Sequence, residues 1–221
     1  MPNTTITCGD GFELGAYEAS PSGAAKGAVV VIQEIFGVNS HIRSVVDGYA
    51  EAGFYAIAPA IFDRLERDVQ LGYTDDDMTA GIELAFQKLD MSQTLADLQA
   101  TIDAAANHGK VGVVGYCWGG AVAWIAAATA PVSAAVSYYG ARIPQYLDLK
   151  PACPMQFHYG ERDASIPPEA IEQVRQALPS GEFHLYPAGH GFNCTDRTDY
   201  HAASAQLAFE RSLAFLGKHV G

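Results

Sequence analysis

Residues 110–126, Lys-Val-Gly-Val-Val-Gly-Tyr-Cys-Trp-Gly-Gly-Ala-Val-Ala-Trp-Ile-Ala, constrain this chain more than any other stretch. Val111 to Gly115 read as a buried strand, and the Ala-rich apolar run from Ala121 to Ala128 reads as a buried helix. Between them, Gly115-Tyr-Cys117-Trp-Gly119 is a tight turn. Strand, Gly-x-Cys-x-Gly turn and helix together make a nucleophile elbow, with a thiol where serine is usual. The flanking glycines have a steric reason. The backbone at the nucleophile is strained, and a Cβ at Gly115 or Gly119 would crowd the neighbouring strand or helix. Such a turn lifts the Cys117 sulfur clear of the sheet and aims a helix N-terminus at it. Positive potential there favours a sulfur anion and, later, an oxyanion. Taken alone, the motif equally suits a small cysteine packed in a tight turn.

The rest of the chain sets the context. A length of 221 residues fits one domain with a full sheet and covering helices, and no repeat, low-complexity tract or linker divides it. A single domain over 1–221 is therefore expected. The net charge of −12 argues against nucleic acid, whose phosphates select basic faces. Met-Pro-Asn-Thr-Thr carries no basic segment ahead of an apolar core, and no apolar run is long enough to span a bilayer. Cys8, Cys117, Cys153 and Cys194 fall into no zinc-type or C-x-x-C spacing. A cytoplasmic protein with free thiols, no metal and no membrane partner is expected.

Strands and helices alternate along the chain. Phe12–Ala19 reads as a first strand, and Gly27–Ile35 as a β-branched central one. A helix follows from Asn39 or Ser40 to Ala52, with Val45, Val46 and Tyr49 on one face, and then a strand at Phe54–Ala58. Residues 60–78 lack periodicity and have the length of a lid or substrate loop. The cluster Asp75-Asp76-Asp77 suits a helix start better than a metal site, since no matching ligands follow it. Helical spacing returns at Met78–Leu89 and Ser92–Ala106. After the elbow come strands at Val132–Tyr138, Met155–Tyr159 and Glu182–Tyr186, with helices at Pro168–Leu178 and Tyr200–Leu216. The fold class is α/β, with a mostly parallel central sheet flanked by helices on both faces.

A thiol that attacks a carbonyl needs a base, a group that orients the base, and oxyanion donors. In the α/β-hydrolase fold the order along the chain is nucleophile, acid, histidine. Asp163 in Gly160-Glu-Arg-Asp163 and His190 in Gly189-His190-Gly191 follow Cys117 in that order, each just after an expected strand. Strand ends meet at the carboxyl edge of a parallel sheet, which selects His190 among the seven histidines. His158 and His184 lie inside strands, whereas His41, His108, His201 and His219 sit on helices or their ends and are expected at the surface. Glu161 is a rival to Asp163, but the Gly-x-x-Asp spacing favours the latter. Glu34, in Gln33-Glu34-Ile35-Phe36-Gly37, ends the central strand, where it suits either a proton acceptor for the thiol or a structural partner.

The chain resembles the dienelactone hydrolases (carboxymethylenebutenolidases) over nearly its whole length. The resemblance rests on Gln33-Glu-Ile-Phe-Gly-Val-Asn39, Gly112-Val-Val-Gly-Tyr-Cys117-Trp-Gly-Gly, Tyr138-Tyr-Gly140, Gly160-x-x-Asp163 and Gly189-His190-x-Phe192. It implies an α/β-hydrolase fold and a triad of Cys117, His190 and Asp163. It also implies that Glu34 holds and then takes the thiol proton, and that the Ile35 and Trp118 backbone N–H groups form the oxyanion hole. The implied reaction is hydrolysis of a small lactone or ester through an acyl-thioester, with water as acceptor and no cofactor. The best-known members grip a substrate carboxylate with two arginines. Cys194 and Thr79 stand near those positions here, and no arginine occurs between Arg67 and Arg142. Arg64, Arg67 or Arg197 would have to substitute, and without such contacts an anionic lactone is held more weakly. A hydrophobic rim of Phe36, Phe62, Trp118 and Phe192 suits a small, partly apolar substrate, although the same residues would also pack as core.

Two other readings stand beside this one. One is a general short-chain carboxylesterase. The other is a non-catalytic fold that binds a ligand or senses redox state through Cys117, with Cys194 as resolving thiol. A monomer is expected, with a homo-oligomer left open.

Overall fold

The structure is a computed structural model that describes residues 2–221. Its chain forms two compact units, Met1–Val111 and Gly112–Gly221.

In the first unit the strands are ordered β1 (Thr4–Thr7), β2 (Glu13–Ala19), β4 (Tyr55–Pro59), β3 (Ala28–Ile32). The pairs β1–β2 and β2–β4 are antiparallel, whereas β3 and β4 run parallel. The strand β1 is absent from the sequence reading. Thr-Thr-Ile-Thr buries only Ile6, and its pairing to β2 defines it. Every residue of β3 and β4 is buried, as expected of strands covered on both sides.

Asn39 caps helix α1 (Ser40–Glu51), its side-chain oxygen accepting the Ile42 N–H at 3.2 Å. Val45, Val46 and Tyr49 are buried, and so is His41, contrary to its expected surface position. His41 lies in the first turn of α1, on the same inward side as Ile42 and Val45.

After β4, a short 3₁₀ turn at Ile61–Arg64 leads into an irregular stretch, and α2 (Asp75–Glu83) begins at Asp75 rather than near Met78. Thr74 and Asp77 form a reciprocal capping box, and Asp75, Asp76 and Asp77 fill the first turn, where acidic groups meet the positive helix end. The helix widens into a π turn at Leu84–Lys88 before α3 (Met91–Ala105). Gly81 lies against the backbone of the loop after β3, since a Cβ there would stand 2.5 Å from the Ile35 carbonyl oxygen.

In the second unit four strands lie parallel in the order β5 (Val111–Tyr116), β6 (Ala134–Tyr138), β7 (Met155–Gly160), β8 (Glu182–Tyr186). Helices α4 (Trp118–Thr129), α5 (Pro168–Ala177) and α6 (Ala202–His219) connect or follow them. Residues 118–127 of α4 are all buried, as its uniformly apolar sequence requires.

A polar layer lies buried where α6 crosses β6 and β7. Tyr186 Oη is 2.7 Å from His158 Nδ1 and accepts from Arg211 Nη1 at 3.1 Å. The His158 Nε2–H therefore faces Gln156 Oε1 at 2.9 Å, with Ser212 Oγ at 3.0 Å. These partners fix one neutral tautomer. Burial, with the nearby His184 and Arg211, holds the His158 proton affinity well below the usual histidine range.

Candidate active site

Cys117 occupies the turn between β5 and α4 with φ 53° and ψ −115°, a conformation that side-chain-bearing residues rarely adopt. Two backbone bonds pin it: its N–H donates to Tyr138 O at 3.0 Å, and its carbonyl accepts from Gly120 N–H at 3.0 Å. Gly115 is obligatory, because a Cβ there would stand 1.9 Å from the Gly119 carbonyl oxygen. The strain is thus held by the end of β6 on one side and the first turn of α4 on the other. Trp118 is the first helical residue, so its N–H belongs to the positive end of α4 beside the sulfur.

The loops after β7 and β8 supply the partners. Their alignment continues the strand pairing: Glu161 N–H donates to Tyr186 O at 2.7 Å and Arg162 N–H to Ala188 O at 3.0 Å. Gly160 permits this approach, since a Cβ would lie 2.3 Å from Ala188 O. Asp163 is buried, with Oδ1 accepting the Ser165 N–H at 2.8 Å and Oδ2 facing His190 Nδ1 at 2.7 Å. The other side of the imidazole, Nε2, is 3.1 Å from Cys117 Sγ. Glu161, the rival acid, is exposed.

A carboxylate only accepts, so Nδ1 carries a proton and Nε2 faces the sulfur. Burial alone would lower the proton affinity of His190. The charge of the Cys117 sulfur, the Asp163 hydrogen bond and the sulfur hydrogen bond outweigh it and raise the imidazole to about 10. The arrangement favours the protonated imidazole, set between the Asp163 carboxylate and the Cys117 sulfur. The ring is also packed: Tyr139 stands edge-on to it at 5.2 Å and 61°. Tyr139 has φ 40° and is fully buried, with its N–H bonded to His158 O at 2.8 Å. Phe192 packs against Tyr139 at 5.5 Å and Tyr186 at 5.1 Å.

The remaining residues singled out from the sequence lie in the first unit. Glu34 is fully buried, and its Oε2 accepts from the Tyr73 hydroxyl at 3.1 Å. Ile35 and Phe36 follow in the same loop, Phe36 edge-on to Tyr73 at 4.6 Å. Phe62 is buried in the 3₁₀ turn after β4. Tyr73 and Tyr139 were not singled out from the sequence. Tyr139 lies in the Tyr138-Tyr-Gly140 motif, but its contact with His190 links positions far apart in the chain.

Two of the three candidate arginines are committed elsewhere. Arg64 makes two bonds of 2.7 Å to buried Asp97 and further bonds to Asp10. Arg67 donates to Asp63 at 3.1 Å and to the Glu13 carbonyl. The Arg197 side chain lies on the loop just after His190, within 2.8–2.9 Å of where a Gly191 Cβ would be. All four cysteines are free thiols, and Cys194 is fully buried. Burial and the Asp97 hydrogen bond push the Cys8 thiol up to about 12, and burial pushes Cys153 up to about 11. Neither is a ready nucleophile at neutral pH.

The parallel α/β architecture and the strained elbow define an α/β-hydrolase. The dienelactone hydrolase family model matches residues 14–220, and the chain belongs to that family of hydrolases. The carboxymethylenebutenolidase of Pseudomonas putida is 36% identical over 217 residues, covering 94% of this chain and 92% of its own. A Klebsiella pneumoniae crystal structure described as "Putative Dienelactone Hydrolase" is 33% identical with a TM-score of 0.84, covering 98% of this chain and 97% of its own. The dienelactone hydrolase structure from Anabaena variabilis, 18% identical with a TM-score of 0.72 over 99% of this chain and 97% of its own, shares the fold. Among the described residues, no helix is long and apolar enough to cross a membrane.

Proposed function

We propose that this hydrolase opens a small lactone or ester through an acyl-thioester on Cys117, with His190 and Asp163 completing a catalytic triad. The observation that carries the reading is the continuous line from Asp163 Oδ2 through His190 to Cys117 Sγ, at 2.7 and 3.1 Å, on a strained elbow.

Substrate binding transfers the thiol proton to Glu34, leaving the sulfur anion opposite the His190 imidazolium. The sulfur attacks the carbonyl carbon, forming a C–S bond as the carbonyl electron pair moves onto oxygen. The N–H groups of Trp118 and Ile35 stabilise that oxyanion. Collapse breaks the ester C–O bond, and the leaving oxygen takes the Nε2 proton from His190. In a lactone the leaving oxygen stays tethered to the acyl group. Neutral His190 then takes a proton from water as the water attacks the thioester. The second tetrahedral intermediate expels the sulfur anion, which regains its proton from Glu34 as the acid leaves. Asp163 keeps Nδ1 protonated and the ring aimed throughout. No cofactor enters this sequence.

Initial rates of wild type and Cys117→Ala on cis- and trans-dienelactone and a short aryl ester test the proposal. Turnover that disappears in the variant supports it. The lactones report whether an anionic substrate is accepted, and the ester reports a neutral acyl pocket. Equal rates in the two proteins would overturn the role of Cys117.

A further inference from the structure

The irregular stretch after the 3₁₀ turn is tied to the loop that carries Glu34. Leu71 N–H donates to Phe36 O at 2.9 Å, and Gln70 pairs with Gly37 in an antiparallel bridge. Asn39 Nδ2 reaches Leu71 O at 3.1 Å, while Arg43 Nη1 spans Val38 O and the Gln70 side chain. Gly37, at φ +78°, lies so close beneath the stretch that a Cβ would stand 1.9 Å from Val69 O. The stretch is a strap across the carboxylate loop.

This strap brings one hydroxyl to Glu34, and the direction of its hydrogen bond is forced. Asn39 Oδ1 accepts the Ile42 N–H as the cap of α1, which turns Nδ2 toward the strap. Nδ2 then donates to the Tyr73 oxygen at 3.1 Å, so the Tyr73 proton is left to point at Glu34 Oε2, also 3.1 Å away. A phenol restricted to donating suits a carboxylate that must remain an acceptor.

We propose that Tyr73 is a positioning residue for Glu34: its hydroxyl, oriented by Asn39, holds the carboxylate in the geometry from which it takes the Cys117 proton. The inference rests on the proton-accepting role proposed above for Glu34. It makes the strap a working part of the site, since the cap of α1 is relayed through Asn39 and Tyr73 to the acceptor.

The test is a double-mutant cycle in the full chain, read as steady-state hydrolysis of 4-nitrophenyl acetate by wild type, Tyr73→Phe, Glu34→Gln and the double variant. Phe keeps the ring contact with Phe36 and removes only the hydroxyl. Losing a hydrogen bond to a charged group is expected to lower kcat about tenfold with KM changed by less than about twofold. In the Glu34→Gln background, Tyr73→Phe is expected to have no further effect. An equal loss in both backgrounds, or no loss beside an impaired Glu34→Gln, overturns the role of Tyr73 while that of Glu34 stands. A Glu34→Gln enzyme with wild-type kcat removes the Glu34 role, and this inference falls with it. Should Tyr73→Phe fail to fold, Asn39→Asp replaces it in the same cycle. Asp keeps the cap but has no N–H to give, so the Tyr73 proton turns away from Glu34.

Discussion

His190 Nε2 lies 3.1 Å from Cys117 Sγ, and the sulfur is the largest influence raising the proton affinity of that imidazole against the opposing effect of burial. The charge state of His190 therefore depends on the residue across from it. By NMR, His190 in the wild type is expected to remain protonated through neutral pH and titrate near 10. In Cys117→Ala its titration is expected to move down by at least one pH unit, on the order expected for loss of a close charge. An unchanged titration in the variant would show that the sulfur exerts no such influence.

Asp163→Asn tests the other side of the ring. The amide can offer N–H to Nδ1 and so select the wrong tautomer, leaving the imidazole in place but unable to serve. A kcat lower by about 100- to 10,000-fold with little change in KM is expected from triad behaviour in general. A loss below tenfold would make Asp163 a structural partner only.

Two histidines give opposite pH dependences of stability. His158 is buried neutral, with its folded proton affinity below the unfolded value of 6.5. Its contribution is present above pH 6.5 and is lost as pH falls below it, because the unfolded chain takes up the proton first. For His190 the folded value is raised, so its contribution is present below pH 6.5 and is lost as pH rises through about 10. Below pH 6.5, where the His190 contribution is already complete, urea midpoints should fall with pH in the wild type and fall less in His158→Gln. An equal fall in the two proteins would place the acid sensitivity elsewhere.

Gly115→Ala should abolish the elbow. A methyl group 1.9 Å from the Gly119 carbonyl forces β5 and α4 apart. A loss of about 3 kcal/mol or more, visible as a lower melting temperature or insoluble expression, is expected from overpacking at a fixed backbone. Wild-type stability in this variant would mean the turn is looser than described.

The arginines separate by role. Arg64→Ala leaves Asp97 buried without its ion-pair partner and should cost about 3–5 kcal/mol of stability, while the ratio of rates on an anionic and a neutral ester stays unchanged. Arg197→Gln should lower that ratio, because its side chain lies on the loop after His190. The reverse pattern in the two variants would reassign substrate recognition to Arg64.

The elbow, the loops carrying Asp163 and His190 and the alternation of strands with helices were legible in the sequence because each is a local signal. Gly-x-Cys-x-Gly follows a valine run, and each partner follows a β-rich run by a few residues. The capping box that starts α2 at Asp75 was also present, in Thr74 and Asp77, but lay inside a stretch without apolar periodicity. The strand β1 was hidden because one buried Ile6 leaves no alternation to detect. His41 was misplaced because helix position alone does not say which side faces inward. Tyr73 and Tyr139 matter through contacts with Glu34 and His190, across 39 and 51 positions respectively, and no local pattern encodes them. Tyr139 also holds a left-handed backbone, φ 40°, which side-chain-bearing residues seldom show in the absence of surrounding constraint.

The covalent step is the claim on which the rest depends. Rapid quench of wild type with excess short aryl ester, followed by peptide mass spectrometry, measures it directly. The mechanism predicts one acyl adduct, on the peptide containing Cys117, that forms within the first turnover and is absent from Cys117→Ala, whose turnover is also lost. Steady hydrolysis with no adduct on Cys117, and undiminished turnover by Cys117→Ala, would contradict nucleophilic catalysis by this thiol.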